Sequence, residues 1–414
     1  MATLAHPDAK HTRAIAPFDV SDVSLFVDDT WREPFARLRA EMPVSWCAES
    51  PYGGYWSVVS HAAIGEVELR AAEFSSAAAN GNITILSPPP ETNLENFIAM
   101  DAPRHTAQRK VVSPAFNPSQ MAGREVTVRQ RTTELFDSLP VGETFDWVSQ
   151  VSVPLTVGML CILFGFPWEE RDDIKLWSDL ASDIRPEPDE ARRMVFLAEM
   201  GRMLGRFDAL MAERLAQPPS DDLLSRMVHS DAMGHLTPFE RISNLALLIV
   251  GGNDTTRHSM GGLVEVLDRW PEELDRLHAD PSLIPNAAQE IIRWQSPVTH
   301  MRRTATRDAE LGGQRIAKGE KLVMWYISAN RDESVFPDAE KFDVARSNAR
   351  RHLAFGHGIH RCVGARLAEI QLATLIGEIV ARDWKIVPQG KPTRLASPFL
   401  HGFTEMPVRV EQRG

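Results

Sequence analysis

Three cysteines in 414 residues are too few for a disulfide framework. Cys47, Cys161 and Cys362 stand far apart, and no Cys-x-x-Cys pair offers a zinc site. Such usage suits a reducing cytoplasm. No apolar run reaches the roughly 20 residues that a bilayer-spanning helix needs. The longest, 153–166, is interrupted by Pro154 and Gly158 and reads as a buried helix. Residues 1–22 are too polar for a signal peptide or membrane anchor and are expected to form a tail ahead of one domain over 23–414. There is no excess of positive charge: 45 Lys and Arg face 56 Asp and Glu, a net charge of −11, which argues against nucleic acid as a partner. No Gly-x-Gly-x-x-Gly follows a strand, so no dinucleotide module is fused. Repeats and low-complexity tracts are missing too, and the proline-rich stretches 87–90 and 217–220 are loops within one fold rather than linkers.

What remains is a globular composition, 43% apolar. Apolar spacing predicts helices over 61–70, 118–137, 192–215, 237–270, 287–295 and 363–381. Strands are predicted over 55–59 and 321–327. The fold class is therefore mainly α with a minor β region. The 237–270 helix starts on a capping box, Thr237 with Glu240, and Pro238 at its first position. It should stop near Arg269-Trp270-Pro271.

Chemistry concentrates near the C-terminus, in Phe355-Gly356-His357-Gly358-Ile359-His360-Arg361-Cys362-Val363-Gly364. An apolar, helix-compatible run follows, which places Cys362 at a helix N-terminus, where the dipole and free N–H groups favour a thiolate. Gly356 and Gly358 permit tight backbone and a close-lying flat cofactor. A thiolate so held is a soft, electron-rich ligand suited to haem iron. This loop resembles the cysteine-ligand loop of the cytochrome P450 superfamily.

Other segments resemble the superfamily's motifs, in order. Glu290 and Arg293 share a helix face, about seventy residues before Cys362, as its Glu-x-x-Arg does. Segment 336–346 is similar to its irregular meander, which implies that Arg346 joins Glu290 and Arg293 in a buried network for folding and haem retention. A Gly251-Gly252-Asn253-Asp254-Thr255-Thr256 stretch sits mid-helix, where glycines cost roughly 1 kcal/mol each against alanine. It matches the oxygen-binding segment, and by that resemblance Thr255 and Asp254 manage protons for O–O cleavage. His105 and Arg109 lie one helical turn apart and match a His-x-x-x-Arg helix. With Arg303, His360, Phe355 and Gly356 they are implied to hold the cofactor, haem b. Arg302 leaves the Arg303 assignment open.

The resemblance implies a monooxygenase fold over roughly 30–410. It would insert one atom of O2 into an unactivated C–H bond, with electrons from an iron–sulfur ferredoxin and its NAD(P)H-dependent reductase. Arg109, Lys110, Arg350, Arg351, Arg361 and Arg366 would form the docking patch. Segments 248–257, 96–101 and 352–364 look like soluble bacterial alkane and fatty-acid terminal hydroxylases, although His258 is bulkier than that pattern leads one to expect. A pocket of Ile85, Leu86, Phe97, Met100, Leu248, Gly251, Val298, Met301, Phe399 and Leu400 is implied, with the low-charge 75–100 loop as cover. Medium-chain n-alkanes, alcohols or fatty acids would fit it. A terpenoid hydroxylase on the same fold is the rival enzyme, and a haem sensor or carrier the rival without catalysis.

Overall fold

The longest element, the helix Pro238–Arg269, runs 32 residues through the interior. Its capping box is complete: the Glu240 N–H donates to Thr237 Oγ1 at 3.2 Å, and the Thr237 N–H donates to Glu240 Oε2 at 2.9 Å. Helices Val153–Phe164, Arg171–Ala181 and Ala365–Ala381 pack around it. Surrounded this way, it is buried on nearly all sides rather than along one stripe. The two mid-helix glycines divide the work. A Cβ at Gly252 would lie 2.6 Å from Leu160, so that glycine lets the 153–164 helix approach, whereas a Cβ at Gly251 would meet nothing within 4 Å. The coordinates form a computed structural model that describes residues 13–88, 93, 95–183 and 190–413.

Most elements fall where periodicity puts them, including Pro118–Asp137, His61–Leu69 and Glu190–Leu215. Two helix starts shift. The helix expected from 287 begins at Ile284, with a proline in its first turn, and the helix expected from 363 begins at Ala365, with Gly364 as N-cap. Pro154 does not interrupt the 153–164 helix. It follows directly on a π-turn over Val148–Ser152, a local widening that accommodates a residue without an N–H donor inside a continuous helical path.

One five-stranded sheet positions the site. Its order is Val44–Cys47, Tyr55–Val58, Lys321–Trp325, His300–Ala305, Phe74–Ser75, and only the second and third strands run parallel. The strand expected over 321–327 stops at Trp325, and Tyr326–Ala329 form one helical turn. An unbroken apolar run does not distinguish strand from buried helix, so periodicity carried no stop signal. Strand 300–305, with two arginines in the middle, had no strand signature at all. Residues 1–12 of the expected tail lie outside the described residues, whereas Ile15 bridges to Trp46 and Val20 is buried. Among the described residues, no helix is long and apolar enough to cross a membrane. His258, bulkier than expected, fits because glycine stands opposite: a Cβ at Gly402 would lie 2.1 Å from its ring.

Candidate active site

A cavity of about 1070 Å³ lies between the middle of the 238–269 helix and the 355–364 loop. Gly251, Gly252, Thr255 and Leu248 face it from one side, and Phe355, Gly356, Cys362 and Val363 from the other.

Cys362 enters this chamber from a tightly folded loop. Its N–H donates to the Phe355 carbonyl at 2.7 Å, and Gly356 and Gly358 adopt φ of +66° and +64°, which side-chain-bearing residues rarely adopt. At Gly358 a Cβ would also lie 2.7 Å from the Glu68 carbonyl. The sulfur is open to the cavity yet enclosed by protein. Burial raises the thiol's pKa, and the N–H groups of Gly364 and Ala365 and the charges of Arg109 and Arg361 oppose that rise. The sulfur therefore faces the helix start two residues ahead of its N-cap.

Four basic side chains gather beside the loop. His105 and His360 lie ring against ring, centroids 4.2 Å apart. Burial lowers their pKa values to about 4 and about 2, so both are neutral at pH 7. Among the described residues neither nitrogen of His105 has a partner, and His360 spends Nε2 on Ser76 Oγ at 3.0 Å while Nδ1 has none. Arg109 donates to the Arg361 carbonyl. Arg303 lines the cavity, but Arg302 does not. Neighbours on a strand point to opposite faces, and that alternation separates the two arginines.

Thr255 and Asp254 part company. Thr255 lines the cavity and donates from Oγ1 to the Gly251 carbonyl at 2.9 Å. Asp254 is fully buried on another face, where Ser178 Oγ donates to it at 3.0 Å and Arg257 pairs with it at 2.8 Å. Burial raises its pKa and Arg257 opposes the rise. Arg257 also reaches Asp179, whose side chain is 38% exposed, so the acid connects outward rather than to the chamber. Consecutive residues on a helix diverge by about 100°, and here that step carries Asp254 off the chamber face on which Thr255 stands.

Eight of the ten expected pocket residues line the chamber: Leu86, Phe97, Leu248, Gly251, Val298, Met301, Phe399 and Leu400. Ile85 does not. Along the irregular wall Ile83, Thr84 and Leu86 face inward, and Ile85 turns into a core cluster with Tyr55 and Trp325. Met100 is also off the wall, buried where the chain leaves the 97–99 turn in an extended conformation. Glu290, Arg293 and Arg346 meet as expected. Arg293 donates to both Glu290 oxygens, at 2.7 and 2.8 Å, and Arg346 to one at 2.8 Å. Their remaining N–H groups go to the carbonyls of Asn330, Pro337, Asp338, Ala339 and Lys341.

Comparison with known proteins agrees with this geometry. The family model described as Cytochrome P450 matches residues 265–409. Linalool 8-monooxygenase of Pseudomonas putida is 36% identical over 94% of this chain and 98% of its own. The chain belongs to the cytochrome P450 family. A methyl-branched lipid omega-hydroxylase of Mycobacterium tuberculosis is also 36% identical, over 92% of this chain and 91% of its own. The structure of cytochrome P450-153 from Novosphingobium aromaticivorans superposes with a TM-score of 0.91, at 49% identity, covering 95% of this chain and 99% of that one. This P450 is accordingly an oxidoreductase, a monooxygenase with the P450 fold.

The family implies a haem-iron cofactor, and the residues present fit one. An open sulfur and buried imidazole nitrogens, without partners among the described residues, stand beside an inward-facing arginine. That is a donor set for a metal and two carboxylates. Sequence reasoning missed Glu68, buried against Gly356 and on the same wall. Its carboxyl accepts from the Tyr326 hydroxyl and lies 3.7 Å from Arg303. Burial raises its pKa. A glutamate two residues after Glu66 in a short helix gave no signal.

Proposed function

We propose that this P450 hydroxylates the terminal carbon of medium-chain n-alkanes or fatty acids, with haem b as cofactor. In this reading its electrons come from a ferredoxin and reductase in the cytoplasm. The observation that carries the reading is the chamber's composition. Leu86, Phe97, Leu248, Val298, Phe399 and Leu400 converge on it, and of its charged lining residues Glu68, Arg109 and Arg303 are at the cysteine end, with Asp183, Arg192 and Arg193 on the side of the 171–181 and 190–215 helices. A relative named as an omega-hydroxylase supports attack at a chain end. Exposed Lys110, Arg350, Arg351, Arg361 and Arg366 support an acidic electron donor.

In this reading the Cys362 sulfur would hold the haem iron, and His105, Arg109, Arg303 and His360 would hold the propionates. Bound haem supplies the oxygen activation. The apolar wall orients the chain end and excludes water. Thr255 holds a proton at Oγ1 on the chamber side, and Asp254 takes protons from the Asp179–Arg257 side, reaching the chamber by a change of rotamer. Thr255→Ala is expected to keep consuming NADH while product per NADH falls several-fold and peroxide rises. Unchanged coupling, measured from NADH, peroxide and product in one reaction, would remove Thr255 from the relay.

Regiochemistry tests the substrate class. The enzyme with ferredoxin and reductase should convert octane, decane and decanoic acid mainly to terminal alcohols, by gas chromatography. Leu248→Ala should raise the subterminal share, because weaker C–H bonds then reach the reacting position. A terpenoid hydroxylase is the second reading, favoured by the linalool relative at equal identity. Turnover of linalool without linear chains would select it.

A further inference from the structure

The chamber wall at 81–87 has no helix or strand to hold it. Its backbone groups must still find partners, and they find them on the neighbouring sheet. Lys321 Nζ donates to the Ile85 carbonyl at 3.0 Å and to Tyr52 at 2.6 Å. The Ile85 N–H donates to His300 Nε2 at 3.2 Å. Arg302 bonds Ile83 through its backbone N–H at 2.6 Å, and its guanidinium reaches the Leu86 carbonyl at 3.3 Å and Ser87 Oγ at 2.8 Å. The fit is tight: a Cβ at Gly81 would lie 2.0 Å from Arg302 Nη2.

Lys321 and Arg302 are 8% and 5% exposed. Among the described residues, every partner of these two side chains is a carbonyl or hydroxyl oxygen. Burial lowers their pKa values to about 8 and about 10, and Arg302's charge adds to the lowering at Lys321. Burying two cations without a carboxylate is costly, and apolar residues would avoid the cost. The side chains they hold in place, Ile83, Thr84 and Leu86, are chamber wall.

We propose that Lys321 and Arg302 are positioning residues that determine specificity: they clamp the 81–87 wall to the sheet and so set the width of the chamber. The proposal rests on this cavity being the substrate chamber, but not on which substrate it takes. Its test therefore uses imidazoles that bind haem iron, with no turnover. Wild-type holoenzyme is titrated spectrally with linear 1-octylimidazole and bulky 1-adamantylimidazole, beside Lys321→Met, Arg302→Lys and Ser87→Ala. Hydrogen exchange is followed over 76–88. The ratio of the two Kd values should move towards the bulky ligand by about tenfold in Lys321→Met, and by less in the other two. Exchange over 76–88 should quicken while the 355–364 loop stays protected. If Lys321→Met fails to hold haem, Arg302→Lys and Ser87→Ala decide, since both leave Lys321 in place. Variants that hold haem but keep the wild-type ratio within twofold, with unchanged exchange, overturn the clamp.

Discussion

Cys362→His should erase the strongly red-shifted Soret band that the reduced, carbon-monoxide-bound wild type shows, and lower monooxygenation by about 100-fold or more. The sulfur is the one soft ligand open to the chamber from the 355–364 loop. Imidazole there could still bind iron, but it lacks the thiolate's electron push. The variant can therefore retain haem and lose the reaction, so the spectrum and the turnover are read together. A normal red-shifted band in Cys362→His would refute axial ligation by this residue.

A second large loss is expected far from the reacting atoms. In Glu290→Ala, Arg293 and Arg346 keep their charges, 0% and 7% exposed at the side chain, without a carboxylate. An uncompensated buried charge of this kind costs about 3–5 kcal/mol. The 336–346 meander should loosen, because both arginines hold its carbonyls, and haem should be lost faster to an acceptor protein. Glu290→Gln, which can still accept hydrogen bonds, should fall between the two. Denaturation curves and haem-transfer rates that match wild type in Glu290→Ala would show that the network does not retain the cofactor.

Short-range patterns were legible where one residue type answers one need. The Thr237–Glu240 box is local chemistry, and both of its bonds form. The cysteine loop, with two left-handed glycines in fixed places, is local as well. Reading stopped where a fact depended on distant chain. Strand 55–58 lies parallel to 321–325, a pairing that no window contains. Arg302 and Arg303 could not be separated until the strand's alternation was known, because both are arginines in a six-residue strand without apolar periodicity. Ile85 and Met100 were misplaced because an irregular segment has no period from which to tell inward from outward. Glu68 acquires its meaning only from Tyr326, Arg303 and Gly356, each remote in sequence.

The paired glycines of the long helix carry a consequence for how this enzyme could be reshaped. Both withhold a methyl group from the same room. At 251 the space withheld is open chamber. At 252 it is filled by Leu160, whose side chain also faces the chamber. A methyl at 251 would occupy the room outright, and one at 252 would press Leu160 into it. The floor area available to a guest beside Thr255 is thus set by two absences on one helical turn, and they can be adjusted one at a time.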